Sequence, residues 1–389
     1  MKTNEIKDLV ALVKTAAAEA ANFQSRFAAE DTEASKIVEI MENFLKSSGR
    51  VVYGGAAINA YLSPKSKFYD PRLYLPDYDF MTPDPLQDCA DLITIFQGEG
   101  FQDVEAKLGI HEGTYKIFVN YRPAADITYM PRLLYDRTLA DSSIIDEIRY
   151  ASPDFLRMNI YVELSRPAGN VSRWEKVYER LLLLNKERPL RPGRCRPPSL
   201  PIKPDQIYMQ IVTVGKKTGA IFLTLETTNS VILMIAEEPQ KIVDELSQLK
   251  TRSFEALGEL LPARTELLKK SGKLVAVVFQ SVACDAYTNE AGLKLGSLDL
   301  LIHTYYGLHF AGLDQYMHRR ILCVIQDLIN LEATKRKGAL TGKEHDVFPL
   351  ECVGHQPTLP ELKRAHRKRI EAKKKELATL FQPTRKTLD

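Results

Sequence analysis

With 389 residues, 44% of them hydrophobic, the chain has room for two or three domains and a sizeable buried core. Its 53 basic and 50 acidic residues leave a formal net charge of +3, too small to point to a partner, so the distribution of charge along the chain matters more. No run of about 18 apolar residues is present, which excludes a membrane-spanning helix, and Met1-Lys2-Thr3-Asn4-Glu5 leads into an amphipathic segment, not a secretory signal. Five cysteines, odd in number and widely scattered, are expected to be free thiols in a reducing compartment.

Residues 5–28 carry Ile6, Leu9, Val10, Leu12 and Val13 among many alanines, the pattern of a packing or capping helix with one apolar stripe. A second helix begins near Asp31, presents Ile37, Val38, Ile40, Met41, Phe44 and Leu45, and ends around Ser47–Gly49. It feeds a short apolar strand, Val51-Val52-Tyr53, which breaks into Gly54-Gly55. Two glycines after a strand let the backbone turn sharply and leave no side chain in the way of a triphosphate approaching the amides. Ala56–Leu62 is expected to be the helix whose first amides face that group. Asn59 on it either reaches a phosphate or ribose oxygen or is an ordinary surface side chain.

In Asp77-Tyr78-Asp79-Phe80-Met81 the alternation has the period of a strand, which sends both carboxylates to one face and Tyr78 and Phe80 to the other. Two carboxylates side by side in an apolar strand repel each other, and a pair of metal ions is the usual means of neutralising them. Asp84–Gln97 reads as a helix and Gln102–Leu108 as a strand. Two further strands follow, Tyr115–Asn120 and Ala124–Tyr129, joined by Tyr121-Arg122-Pro123. Asp126 lies between apolar neighbours in the second and is expected to face inward beside the first two carboxylates.

Gly-Gly, Asp-x-Asp and a third strand Asp, in that order, resemble the polymerase β-like nucleotidyltransferases. The fuller wording, Tyr53-Gly54-Gly55-Ala56-Ala57-Ile58-Asn59 with Asp77-Tyr78-Asp79-Phe80, resembles the poly(A) polymerase catalytic subunits of large DNA viruses, the poxvirus and giant-virus kind. A second block is similar to the one that follows the triad in those enzymes: Ser152-Pro153-Asp154-Phe155-Leu156-Arg157, leading into Glu163–Pro167 and Arg173–Leu181. The two blocks cover roughly residues 50–185, and the wide gap from Gly55 to Asp77 favours the viral branch over the cellular one.

The resemblance implies an α+β fold, a nucleotidyltransferase mixed sheet with flanking helices over residues 49–188 preceded by N-terminal helices over 1–48. It also implies a second α/β domain, a degenerate nucleotidyltransferase that helps clamp primer, over 205–350. The expected activity is extension of an RNA 3′ end with AMP from ATP, releasing pyrophosphate, with two Mg²⁺ or Mn²⁺ ions. Asp77 and Asp79 would hold the ion on the triphosphate side and share the other with Asp126, the expected proton acceptor for the primer hydroxyl. Another nucleotidyltransferase, adding CCA, uridine or a nucleotide to a small molecule, would need the same three carboxylates. A non-catalytic RNA-binding or processivity subunit would not. A homodimer or a separate processivity subunit, the cytoplasm of an infected host cell and packaging in the virion are further implications of the family.

From Ser152 a helix with Phe155, Leu156, Ile160, Val162 and Leu164 is expected to pack beneath the sheet. On the next helix Trp174, Val177, Leu181 and Leu184 make a core stripe, and Lys176 on the other side either binds phosphate or is a solvated charge. Residues 189–204 are proline-rich and basic, the clearest linker in the chain. Beyond it Ile207–Val214, Ala220–Leu225, Val231–Ala236 and Leu274–Gln280 read as strands and Pro239–Leu249 as a helix. Asp299 reads as a helix-start or buried hydrogen-bonding residue, and Tyr305, Tyr306 and Phe310 as core. The tail, residues 351–389, has ten basic against four acidic residues from Glu361 onward. Lys363, Arg364, Arg367, Lys368 and Arg369 in it suit RNA, or belong to a frayed, solvated end.

Overall fold

A computed structural model describes residues 9–17, 19, 20, 23, 32–69, 78–196, 204–224, 231–258, 260–317, 319–341 and 347–380, with side chains up to residue 374. Two compact units are present, one drawn from Met1–Met130, Asp141–Ala151 and Leu359–Asp389, the other from Pro131–Ala140 and Ser152–Thr358.

The chain runs α1 (residues 9–17), α2 (Thr32–Ser48), β1 (Val51–Tyr53), α3 (Gly54–Tyr61), β2 (Tyr78–Thr82), α4 (Pro85–Gly98), β3 (Val104–Leu108), β4 (Thr114–Val119) and β5 (Arg122–Tyr129). After α5 (Arg132–Asp141), β6 (Ser143–Ile145) and β7 (Ile148–Tyr150) complete a mixed sheet ordered β3-β4-β5-β2-β1-β7-β6. One face is covered by α2, whose Ile37, Ile40, Met41, Phe44 and Leu45 are buried, with the Phe44 ring 5.8 Å from that of Phe80. The Tyr78 hydroxyl donates to Glu42 on the same helix at 2.8 Å. Tyr78 and Phe80 therefore anchor β2 from one side, and strand alternation turns Asp79 to the other.

The β4–β5 turn uses Asn120 (φ 46°) and Tyr121 (φ 63°), the left-handed pair of a two-residue hairpin, so Arg122 and Pro123 belong to β5. Pairing with β2 starts only at Ala125, so Pro123 removes no hydrogen bond on that side. Val119 pairs with Arg122 and Phe118 with Pro123, but Ile117 pairs with Ala125; a one-residue bulge shifts the ladder there.

In the second unit come α6 (Pro153–Leu164), α7 (Trp174–Glu187), α8 (Gln206–Thr218), β8 (Ile221–Phe222), β9 (Ile232–Ala236), α9 (Pro239–Glu245), β10 (Lys250–Phe254), β11 (Arg264–Leu268), β12 (Leu274–Gln280), β13 (Asp285–Glu290), β14 (Leu293–Gly296), α10 (Leu298–Ala311), α11 (Ile321–Leu340) and β15 (Cys352–Val353). α12 (Leu359–Leu380) returns to the first unit. Two expectations change here. Ile207–Val214 is helical: Asp205 caps α8 by accepting from the Tyr208 amide at 2.8 Å, and Gly219 ends it in the left-handed region, so end signals outweigh a β-branched run that looked like a strand. Four of the five cysteines pair, Cys195 with Cys323 and Cys284 with Cys352, at Cα separations of 5.7 and 5.2 Å; Cys89 is buried and free, its thiol pushed up to about 11 by burial.

The second sheet, β10-β11-β12-β9-β8-β14-β13-β15, repeats the first strand for strand except for its last member. β8 pairs antiparallel with β9 as β1 does with β2, β9 runs parallel to β12 as β2 does to β5, and β8 runs parallel to β14 as β1 does to β7. Tyr150, the partner of Val52, stands two residues before Ser152, which caps α6 through the Phe155 amide; Leu295, the partner of Phe222, stands two before Ser297, which caps α10 through the Leu300 amide. The register thus equates Val52 with Phe222 and Asp154 with Asp299. α6 packs on α10, so these equivalent helices share one core. Asp299 is buried and bound bidentately by Arg336 at 2.8 and 2.9 Å, and Tyr305, Tyr306 and Phe310 are core.

Candidate active site

β1 sets the site. Tyr53 pairs with Asp79 across the antiparallel ladder, and the next residue, Gly54, opens α3 at φ +71°. A Cβ at Gly54 would run into the Asp79 carboxylate, so this strand-to-helix turn passes over the carboxylate only because residue 54 has no side chain. The Tyr53 side chain does not cap α3, whose first residues lie beside the Asp79 carboxylate. Gly55 follows in its first turn.

On the other side of β2, Asp79 is in parallel register with Asp126 of β5. Both carboxylates are half-buried, on neighbouring strands and the same sheet face, as the sequence predicts. Asp77 lies outside the described residues. Among the described residues no group of three or more His, Cys, Asp or Glu side chains is gathered for a metal. What is present fits a hard divalent cation in kind: carboxylate oxygens side by side, with room kept for one of them by a glycine.

Lys116, which the sequence reading passes over, faces Asp126 directly from β4, and its ammonium donates to the Asp126 Oδ2. Counting residues around the Asn120–Tyr121 turn would place Tyr115 there; only the bulge brings Lys116 into line. The Tyr53 hydroxyl lies 2.9 Å from the Thr128 Oγ1, tying β1 to β5.

The remaining predicted residues fall elsewhere. Asn59 accepts from the amides of Phe68 and Tyr69 at 3.0 and 3.1 Å and donates to the Tyr69 carbonyl at 3.3 Å, pinning the backbone after α3. Lys176 is exposed on α7, in the second unit. On α12, Lys363, Arg364, Arg367 and Lys368 are exposed, whereas Arg369 turns inward and donates to the Ile110 carbonyl at 2.7 Å, in the first unit. The Ser152–Arg157 block is structural. Arg157 is buried, donating to Asn185 and Asp154 at 2.6 Å each and to the Arg188 carbonyl.

In the second sheet the register places Leu233 where the first has Asp79, because Leu223, the residue after Phe222, donates to the Leu233 carbonyl at 2.8 Å. Val277, the parallel partner of Leu233, takes the place of Asp126. Both are fully buried, so the second sheet has no carboxylate at either position.

Residues 39–170 match the family model described as poly(A) polymerase catalytic subunit. A curated protein of Acanthamoeba polyphaga mimivirus, named for a poly(A) polymerase catalytic subunit, is 36% identical over 186 residues, 46% of this chain and 31% of that protein. A protein of the same name from African swine fever virus (isolate Tick/Malawi/Lil 20-1/1983) is 25% identical over 181 residues, 45% of this chain and 36% of its own length. The chain spans about a third of the length of these curated relatives in the matched region. Its fold is that of the Megavirus polyadenylate synthase crystal structure, with a TM-score of 0.77 over 97% of this chain and 84% of that one at 20% identity. The resemblance read from the glycine pair and the aspartates is thus borne out over residues 39–170, and the fold over nearly the whole chain.

Proposed function

We propose that this chain, which carries the poly(A) polymerase catalytic-subunit region at residues 39–170, adds AMP from ATP to RNA 3′ ends without a template and releases pyrophosphate. The observation that carries the reading is Asp79 beside Asp126 on adjacent parallel strands, under a glycine that cannot be replaced without displacing a carboxylate.

The primer 3′ oxygen forms a bond to the α-phosphorus, the bond from that phosphorus to the bridging oxygen breaks, and pyrophosphate leaves. Asp126, on the strand beside Asp79, accepts the hydroxyl proton. The backbone of Gly54 and Gly55 at the start of α3 holds the triphosphate, and Asn59 secures the segment at residues 68–69 that follows. Asp77, Asp79 and Asp126 are the residues that would hold magnesium or manganese, a pair of which lowers the pKa of an attacking hydroxyl and offsets charge on a leaving pyrophosphate. The exposed Lys176 of α7 is a phosphate-binding cation in this reading, and the exposed cations of α12 bind the RNA backbone. RNA, ATP and a second copy or a processivity subunit are the partners in this reading, and the cytoplasm of an infected cell, with packaging in the virion, is its setting.

Primer extension on a short labelled RNA, with each NTP alone and Mg²⁺ or Mn²⁺, tests it. A long ladder with ATP only, absent in Asp79→Ala and Asp126→Ala variants that remain folded, is the expected result. Turnover preserved in either variant would remove the assignment, and extension with UTP or CTP would move it to another nucleotidyltransferase.

A further inference from the structure

We propose that Lys116 is the resident counter-ion of the carboxylate pair: without metal its ammonium holds Asp126 in place beside Asp79, and a divalent cation binds by displacing it. The inference rests on the reading of Asp79 and Asp126 as metal ligands. Lys116 is the cross-strand partner of Asp126 on one side and Asp79 is its partner on the other, so one ammonium sits at the edge of two adjacent negative charges. Its side chain is 38% exposed and that of Asp126 21%, so the ammonium can leave for water without being stranded in the core.

An ordinary cross-strand ion pair would explain the contact without any link to metal. Two observations favour the link. The alignment is made by a bulge that shifts β5 by one residue, a local irregularity of the kind found where a strand re-aims a side chain. The second sheet supplies the control: there Val277 replaces Asp126, and its partner on β11, in the place of Lys116, is Glu266. The lysine stands where the carboxylate stands.

A cation already occupying an oxygen that a metal needs lowers metal affinity by competition and stabilises the metal-free fold. Lys116→Met should therefore bind Mn²⁺ about tenfold more tightly and melt at a lower temperature without metal, as expected when one nearby like charge is removed from a partly screened site. Lys116→Arg, which keeps the charge, should stay near the wild type in both. Mn²⁺ titration of the full chain by electron paramagnetic resonance, with melting curves with and without metal, reads these outcomes. In the unmutated chain the Lys116 ammonium resonance should move when Mg²⁺ is added, a readout that does not depend on any variant folding. Equal Mn²⁺ affinity in wild type and Lys116→Met, or an ammonium resonance unmoved by bound Mg²⁺, would overturn the proposal. If neither wild type nor Lys116→Met binds Mn²⁺, the metal reading itself fails and takes the proposal with it.

Discussion

At position 54 two constraints coincide, a backbone angle of +71° and a carboxylate where a Cβ would stand. Gly54→Ala is expected to cost about 1–3 kcal/mol from the left-handed backbone alone, measured by urea denaturation. It should remove nucleotide incorporation as well, because Asp79 must move. Asp285 offers a test by pH. Burial raises its carboxyl from 3.8 to about 6, against the lowering effects of Arg166 and the Ser281 hydroxyl. The native carboxyl keeps its proton up to about pH 6 while the unfolded chain loses it near 3.8, so stability falls as pH rises through that window and the penalty is complete above it. Asp285→Asn should accordingly raise the melting temperature at pH 7.5 more than at pH 4. An equal change at both pH values would contradict the raised carboxyl.

Among the elements, α6 and α7 are held together by Arg157, which reaches Asp154 on its own helix and Asn185 near the end of α7. Arg157→Met should destabilise by about 3 kcal/mol, since it leaves Asp154 without its buried cation and Asn185 without its donor. A denaturation midpoint unchanged from wild type would show the clasp to be dispensable. The sequence block around Arg157 was legible as a family signature but not as a clasp, because Asn185 and Arg188 lie about thirty residues further on and only the packing of α7 brings them back. The placement of Asp79 beside Asp126 was legible for the opposite reason. Strand period alone turns Asp79 away from Tyr78 and Phe80, and apolar neighbours on both sides place Asp126 in a neighbouring strand. Lys116 was hidden by one residue, since a bulge leaves no periodic trace in the sequence. The cysteine pairs, 128 and 68 residues apart, were hidden because spacing at that range carries no pairing information.

Across the described residues, two sheets share one topology, and only the first has carboxylates at the positions of Asp79 and Asp126. Leu233 and Val277 turn the equivalent positions of the second into core, so catalysis by the second sheet is not expected even if the first is disabled. α12 turns residues such as Leu362, Arg369 and Ile370 inward and leaves Lys363, Arg364, Arg367 and Lys368 exposed. Replacing those four by Gln should weaken RNA binding and flatten its salt dependence by about 0.7 in the logarithmic slope for each phosphate no longer neutralised. Fluorescence anisotropy at several salt concentrations measures both, and an unchanged slope would leave α12 a solvated helix.

The return of α12 to the first unit also bears on synthesis. Residues 152–358 must leave the ribosome between the last strand of the first sheet and the helix whose Arg369 closes onto Ile110. At about 5–20 residues per second that interval lasts on the order of tens of seconds. A nascent chain therefore displays its carboxylate sheet well before the basic helix arrives, and any grip on RNA that depends on α12 begins only when translation has passed it.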